Sequence, residues 1–191
     1  MGPKPRIEFP GAMHHVTGRG NAKAPIFCEP CDYEAFLELV AEAVALQGWL
    51  CHAYCLIPNH YHLLFETPEP NLGKGMLRVN GTYARRFNWR YSRVGHVFHG
   101  PYGDTLVKDD DHLAEVARYL ALNPVRAGLV DSPDAWPWSS HRVRRAAKGP
   151  GVPQPRRHPI AARRRSRLPP LRRRRDAPTE VPRRASQLVR A

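Results

Sequence analysis

The sequence predicts an α+β fold, an antiparallel sheet with helices on one face, in residues 1–140 of this 191-residue chain. Short apolar or alternating segments typical of strands are interleaved with longer segments in which apolar residues recur at helical spacing. The order of these segments is strand, helix, strand, strand, helix, strand, which is the split βαβ or ferredoxin-like order. One added helix follows this unit.

Four segments are predicted to be strands: residues 11–21, 49–57, 60–67 and 95–107, the last as a bent strand or hairpin. Three segments are predicted to be helices: residues 31–49, 71–93 and 109–123. Asp32 and Asn71 are the expected N-caps of the first two helices, and Gly48 is the expected end of the first. Pro124 disfavours helical geometry at Asn123, so the third helix is expected to kink or stop there, with one further turn left open.

The positive charge of the chain is concentrated at its C-terminal end. Residues 141–191 hold 17 of the 30 Lys and Arg residues and two of the 17 Asp and Glu residues, so their net charge is +15 and that of residues 1–140 is −2. The same segment has eight prolines and no aromatic residue, and is therefore predicted to be a disordered basic tail. It is either a polycationic arm that binds nucleic acid without sequence preference or an out-of-frame reading.

The sequence does not favour a membrane or secreted protein. The N-terminus lacks the apolar region of a signal peptide, and no apolar run approaches the ~20 residues that span a bilayer. The four cysteines do not make a disulfide framework for a chain of this length. We expect a cytoplasmic protein with reduced thiols and no membrane partner.

Two histidines lie one residue apart at the start of the third predicted strand. Side chains alternate along a strand, so His60 and His62 point to one face, about 7 Å apart, and Tyr61 points to the other. Two imidazoles at that separation can bind one metal ion. The apolar residues 63–65 that follow do not alternate, which indicates that both faces are covered. Polar side chains on a solvent-facing strand are an equally supported alternative.

The third predicted helix offers partners for this pair. Tyr119 and Asn123 are four residues apart and therefore lie on one helix face. A phenol and an amide there could converge on a metal held by two histidines. A tyrosine on a helix is more often a core residue with a solvent-facing hydroxyl group, so this pair alone is a weak indication.

Five motifs, taken together and in this order, resemble the single-tyrosine HUH transposases of the insertion-sequence type, specifically the branch associated with repetitive extragenic palindromes (REP). They are PRIEFPGAMHHVTGRGN, AYCLIPNHYHLLFETP, GHVFHG, RYLALNPVRAGLV and WPWSS, which run from Pro5 to Ser140. The joint occurrence of PNHYHLL and RYLALNPVRAGLV is highly specific. The resemblance covers residues 1–140 as one transposase domain and leaves the basic tail outside it.

The resemblance implies a metal-dependent transposase that cleaves and rejoins single-stranded DNA near hairpin sequences. It implies that Tyr119 attacks a DNA phosphate, leaving a 5′-phosphotyrosine link and a free 3′-hydroxyl group. It implies a divalent metal, Mg²⁺ or Mn²⁺, held by His60, His62 and Asn123. Members of this family include dimers with shared active sites and monomers, so both a homodimer and a monomer are open.

The residue types suit this chemistry. A phenol with a pKa of about 10 is a poor nucleophile at neutral pH, and a metal that polarises the phosphate assists it. Two histidine ligands also suit manganese. Two departures from the family pattern, His99 and Pro101 in place of Gln and Arg and the abrupt change after Ser140, leave open a domesticated or decayed protein that binds hairpin DNA without cleaving it.

Further candidates for DNA contact are Arg19, Asn21, Arg85, Arg86 and Arg126. The first two lie in the Gly-rich segment 17–21, which either lets backbone amides approach DNA or is a simple turn. The pair in the second helix is interleaved with aromatic residues, a mixture that suits single strands, although an amphipathic helix accounts better for the aromatic residues. The last of the five either contacts DNA or braces the helix that carries the tyrosine.

Other possible metal ligands are less well supported. The spacing CxxC…CxxxC over residues 28–31 and 51–55 is close to a zinc-ribbon pattern. On a continuous strand, however, Cys51 and Cys55 would lie about 13 Å apart, whereas two thiolates on one zinc ion approach to roughly 4 Å. The remaining histidines are expected to be ordinary surface or core residues: His14, His15, His52, His96, His99 and His112.

Overall fold

The computed structural model describes residues 7–141, so the predicted disorder of the tail falls outside the described residues except at His141. The strands are β1 (Ala12–Arg19), β2 (Leu50–Ile57), β3 (His60–Thr67) and β4 (Gly103–Leu106). The helices are α1 (Pro30–Gln47), α2 (Leu72–Tyr91) and α3 (Asp110–Arg126). Within the described residues, none of the helices has the length and apolar character needed to cross a membrane.

The four strands form one antiparallel sheet in the order β2-β3-β1-β4. β2 and β3 form the predicted hairpin through Pro58 and Asn59, and β1 pairs with both β3 and β4. This order confirms the ferredoxin-like α+β fold that the succession of segments predicts. In the register, Thr17 and Cys55 flank His62 from the two neighbouring strands.

The main hydrophobic core lies between one face of the sheet and the helices α1 and α2. From β3 it takes Tyr61, Leu63 and Phe65, which alternate with the residues of the opposite face. The helices contribute their buried apolar stripes, for example Phe36 and Met76. This face is therefore closed to solvent over its central strands.

Helix α3 packs on the opposite face of the sheet, mainly against β2. A second, smaller cluster joins it there: Ala53, Cys55, Ile57, Leu64, Val116 and Leu120. Strand alternation places His60 and His62 on this α3 face. The prediction that β3 is covered on both faces is thus confirmed, because α3 covers the face that α1 and α2 do not.

A segment that follows α3 covers the outer edge of β2. The backbone N–H of Leu56 donates to the Trp138 carbonyl oxygen at 2.9 Å, and the backbone N–H of Tyr54 donates to Ser140 Oγ at 3.0 Å. The Trp136 indole N–H also donates to the Leu56 carbonyl oxygen, at 2.8 Å. The WPWSS motif therefore supplies hydrogen-bond partners for an edge strand that would otherwise expose its backbone.

The N-cap of the first helix differs from the prediction, and that of the second agrees with it in position. The N-cap of α1 is Glu29, three residues before the predicted Asp32, which lies in the first turn of the helix. There the Asp32 carboxylate accepts hydrogen bonds from the backbone N–H groups of Cys28 and Glu29, a capping-box arrangement. Asn71 does precede α2, but its side chain binds Trp49 and the Gln47 carbonyl oxygen rather than the helix.

Helix α3 does not stop at Asn123. It continues through Pro124 to Arg126, and the N–H groups of Ala127 and Leu129 close the following turns on the carbonyl oxygens of Asn123 and Pro124. Pro124 removes one helical donor, yet the hydrogen bonds that follow it continue the helix. Asn123 therefore keeps helical geometry, four residues after the tyrosine and on the same face.

The fourth strand is also shorter than predicted, because residues 95–102 form a loop.

Candidate active site between strand β3 and helix α3

His60 and His62 lie side by side at the start of β3, with ring centroids 5.0 Å apart. Burial, aided by the positive charge of Arg19, lowers the pKa of His60 to about 4, and the side chain of Asn123 opposes this shift. Burial, together with His60 and His15, lowers the pKa of His62 to about 2. Both imidazoles are therefore neutral near pH 7, the form that binds metals.

Each of these two rings has a partner for its Nδ1 atom. His60 Nδ1 lies 2.8 Å from Oδ1 of Asn59, and His62 Nδ1 lies 3.0 Å from Nε2 of His15. An amide oxygen accepts only, so His60 donates through Nδ1 and its Nε2 atom keeps a free lone pair. Such contacts to the second ring nitrogen are typical of metal-binding histidines.

Helix α3 brings a phenol and an amide to the same place. The ring of Tyr119 meets that of His62 edge-on, with centroids 5.2 Å apart, and the guanidinium of Arg126 lies 5.4 Å from the centre of the tyrosine ring. Asn123 is 6% exposed, and its Nδ2 atom lies 3.4 Å from Nε2 of His62. The structure therefore brings together the four residues that the sequence singled out: Tyr119, His60, His62 and Asn123.

The donor set fits a divalent ion. Oδ1 of Asn123 is buried without a hydrogen-bond partner of ordinary geometry, a costly state for an amide oxygen unless another group binds it. Two neutral imidazoles and this oxygen lie together. No cluster of three or more His, Cys, Asp or Glu side chains suited to a metal occurs in residues 7–141, so an ion at this site depends on the amide as its third protein ligand.

His15 is a residue of the site that the sequence reasoning missed. It was expected to be an ordinary surface or core histidine, but it contacts both His62 and Tyr119. Alternation along β1 places His15 on one face, but only the pairing of β1 with β3 shows that this is the face of the His60/His62 pair. That pairing joins segments about 47 residues apart and leaves no local pattern in the sequence.

The predicted DNA-contacting residues fall into two groups. Arg19 is exposed at the end of β1, paired with His60 in the register, and Asn21 follows it; Arg126 is exposed beside Tyr119. Arg85 and Arg86 lie on α2, which packs on the opposite face of the sheet. The structure therefore brings the first group to the candidate site and keeps the second away from it.

Packing accounts for two sequence features that DNA contact could also explain. A Cβ atom on Gly18, in the Gly-rich segment, would lie 2.4 Å from the ring of Tyr61, so this glycine is required by the strand pairing. Of the aromatic residues in α2, Tyr83 and Phe87 are buried in the main core, as an amphipathic helix predicts. Trp89 differs from these two residues, because it is 42% exposed and its ring is accessible to a DNA base.

The cysteines do not form a zinc ribbon. Cys51 belongs to the core under α1 and α2, whereas Cys55 belongs to the cluster under α3. The two thiols of β2 thus lie on opposite faces of the sheet. All four cysteines are thiols rather than disulfides, and burial raises the pKa of Cys55 to about 12.

Fold and site together define a small α+β protein in which a helical tyrosine lies beside two neutral histidines. The sequence model of the family described as "Transposase IS200 like" matches residues 9–123, more than half of the chain. The chain therefore belongs to the IS200-like transposase family. The resemblance seen in the motifs is thereby confirmed at the level of the family.

Two relatives make the similarity more specific. A Haemophilus influenzae protein named "Putative REP-associated tyrosine transposase" is 32% identical over 103 residues, which are 47% of this chain and 58% of that protein. The chain thus spans little more than half the length of this relative. The solved structure of a REP-associated tyrosine transposase bound to a REP hairpin covers 84% of this chain and 90% of its own, with a TM-score of 0.67 and 15% identity. That likeness shows a shared fold.

Proposed function

We propose that this protein is a metal-dependent transposase that cleaves and rejoins single-stranded DNA through a covalent link to Tyr119. The observation that supports this most directly is the convergence of two elements distant in sequence. Tyr119 and Asn123 of α3 lie against His60 and His62 of β3, with a ring separation of 5.2 Å and an amide contact of 3.4 Å. The alternative function of Tyr119, a core tyrosine with a solvent-facing hydroxyl group, gives no reason for two neutral, buried imidazoles to lie beside it.

The proposed step is a transesterification at one phosphodiester. Tyr119 Oη attacks phosphorus, the phenol loses its proton, and the bond between phosphorus and the 3′ oxygen breaks as that oxygen takes up a proton. The products are a 5′-phosphotyrosine link and a free 3′-hydroxyl group. The reverse reaction with another 3′-hydroxyl group rejoins DNA, because the covalent link keeps the energy of the phosphodiester that hydrolysis would release.

A divalent metal, Mg²⁺ or Mn²⁺, would be held by Nε2 of His60, Nε2 of His62 and Oδ1 of Asn123, and when bound it would polarise the scissile phosphate. The chain's own contribution is to keep both imidazoles unprotonated by burial and to present a buried amide oxygen that has no hydrogen-bond partner of ordinary geometry. The Arg126 guanidinium over the tyrosine ring restrains the nucleophile.

Hairpin DNA is the substrate that we propose. The support is the similarity to a structure whose protein is bound to a REP hairpin, together with the exposed cations Arg19 and Arg126 beside the site. Cations at such positions suit phosphates on either side of a scissile bond. Asn21 remains a proposed contact beside the site, and Arg85 and Arg86 remain proposed contacts to parts of the hairpin further from the cut.

The test is the detection of a covalent adduct. Wild-type protein incubated with Mn²⁺ and labelled single-stranded hairpin DNA should give a protein–DNA band that survives denaturing electrophoresis. Tyr119→Phe removes one oxygen and keeps the ring, so hairpin binding should persist while the band is lost. An adduct formed by Tyr119→Phe would assign the nucleophile to another tyrosine, although Tyr61 and Tyr102, the next candidates from the sequence, are both buried in the main core.

Hairpin binding without cleavage is a second candidate function. One observation favours it: His99 and Pro101 stand where the family resemblance places Gln and Arg, and the His99 backbone N–H donates to the carbonyl oxygen of Arg19 at 2.9 Å, beside the site. Wild-type protein that binds the hairpin and never cuts it would support this function. Cutting without any adduct would instead indicate a hydrolytic nuclease.

A further inference from the structure

His15 of β1 contacts both halves of the candidate site. Its ring stacks on that of His62 with centroids 5.2 Å apart, and it meets the ring of Tyr119 edge-on with centroids 6.2 Å apart. Its Nε2 atom lies 3.0 Å from Nδ1 of His62. One half-buried side chain thus touches a proposed metal ligand and the proposed nucleophile.

The hydrogen bond between these imidazoles determines which nitrogen of His62 is free. Two neutral imidazoles form one hydrogen bond with one donor and one acceptor. If Nδ1 of His62 donates, its Nε2 atom keeps a lone pair and faces Asn123, 3.4 Å from the amide. If His15 donates instead, Nε2 of His62 carries the proton and cannot bind an ion.

We propose that His15 is a positioning residue, which accepts the Nδ1–H of His62 and so keeps Nε2 of His62 unprotonated and directed at Asn123. This inference rests on the proposed function, because it requires His62 to be a metal ligand. Contacts of this kind to the second ring nitrogen orient metal-binding histidines and raise the affinity of the site. His15 also contacts the proposed nucleophile, because its ring meets that of Tyr119 edge-on.

The neighbouring histidines show that position in the fold gives His15 this function. His14, one residue earlier, points to the opposite face, where it is fully buried and its Nδ1 atom lies 2.9 Å from Oδ1 of Asp104. For His60, an amide serves the same purpose, because Oδ1 of Asn59 lies 2.8 Å from its Nδ1 atom. An amide oxygen placed where Nε2 of His15 lies should therefore accept the same hydrogen bond from His62.

The experiment measures Mn²⁺ binding to the full-length protein without DNA, by isothermal titration calorimetry. The carbonyl oxygen of His15→Gln reaches about as far as Nε2 of histidine, whereas that of His15→Asn stops near the position of Nδ1. Because loss of such a contact typically weakens binding 10- to 100-fold, Kd should rise at least about tenfold in His15→Asn and stay within about threefold in His15→Gln. His52→Asn is the matched control, a strand histidine bonded to Glu66 away from the site, and should bind Mn²⁺ as the wild type does.

Two further measurements separate the possible failures. Thermal melting without metal identifies a variant that has lost its fold. The Kd values of His15→Gln and His15→Asn are then compared only between folded proteins, whose substituted side chains are equally polar. Equal Kd values for His15→Asn and the wild type, with binding that His62→Ala abolishes, would overturn the positioning function alone. Mn²⁺ binding that survives His62→Ala would overturn the proposed metal site and this inference with it.

Discussion

The buried amide of Asn123 shows how a single residue reveals the chemistry of the site. Its Nδ2 atom has the Nε2 atom of His62 as a partner, whereas its Oδ1 atom has none of ordinary geometry. An unpaired buried acceptor costs about 1–3 kcal/mol, which a folded protein seldom carries without a compensating ligand. With two neutral imidazoles beside it, we propose a divalent cation as the ligand that would satisfy all three groups.

The proposed metal site leads to a prediction about cleavage. His60→Ala and His62→Ala should each abolish cleavage of hairpin DNA, and chelation by EDTA should reproduce the effect in the wild type. Hairpin affinity, measured by gel shift, should change only a few-fold, because most affinity comes from phosphate and base contacts away from the ion. Asn123→Ala should slow cleavage without abolishing it, since water can replace one neutral ligand. Cleavage that persists in either histidine variant in the presence of EDTA would refute the site.

Two arginines permit a comparison of positions. Arg126 lies over the Tyr119 ring, a contact worth about 0.5–1 kcal/mol, so Arg126→Ala should slow adduct formation even at saturating DNA. Arg85→Ala removes an exposed cation on the other face of the sheet and should leave that rate unchanged. Single-turnover kinetics measures both rates. Equal slowing in the two variants would show that α2 takes part in the reaction.

At the scale of the elements, α3 is decisive because it continues through a proline. Helical spacing puts Tyr119 and Asn123 on one face only while the helix persists to Asn123, and it persists to Arg126. The same helix buries Val116 and Leu120 against β2. Its apolar contacts thus fix its rotation, and that rotation directs the phenol and the amide towards β3.

Helix α2 contains glycines with opposite predicted effects. A Cβ atom on Gly75 would lie 2.2 Å from the ring of buried Trp49, so Gly75→Ala should lower the free energy of unfolding by about 1–3 kcal/mol. A Cβ atom on Gly81 would meet nothing closer than 3.7 Å, so Gly81→Ala should raise it by about 0.5–1 kcal/mol through helix propensity. Denaturant unfolding of the two variants measures this. Unchanged or raised stability in Gly75→Ala would contradict the packing of α2 against Trp49, and a loss of stability in Gly81→Ala would contradict the open space at that position.

For the molecule as a whole, the sheet has one face under α1 and α2 and the other under α3, with one edge covered by residues 136–140. That last segment lies beyond the residues that match the family, yet its indole rings pack on Tyr33. The described domain therefore includes the WPWSS motif and does not end with α3. The net positive charge of the chain lies beyond this point, because residues 141–191 carry a net charge of +15 and residues 1–140 one of −2.

Two truncations test where the domain ends. Removal of residues 142–191 should leave the melting temperature nearly unchanged, because that segment lacks the apolar content to join a core. It should also weaken non-specific DNA binding and flatten its salt dependence, because cationic contacts are lost. Removal of residues 136–191 also deletes Trp136 and Trp138, and should lower the melting temperature by about 10 °C. Equal melting temperatures for the two truncated proteins would show that the WPWSS segment does not stabilise the sheet.

The sequence by itself determined the succession of elements and the pairs His60/His62 and Tyr119/Asn123, because strand and helix periodicities act over a few residues. Local spacing did not place these pairs together, which only the family resemblance implied, and the sequence did not reveal the position of His15 in the site or the capping position of Asp32. The pairing of β1 with β3 and the docking of α3 join residues about 47 to 61 positions apart, and they follow from packing of whole elements rather than from local spacing. Only the tertiary structure therefore made one site of a phenol, an amide and three imidazoles.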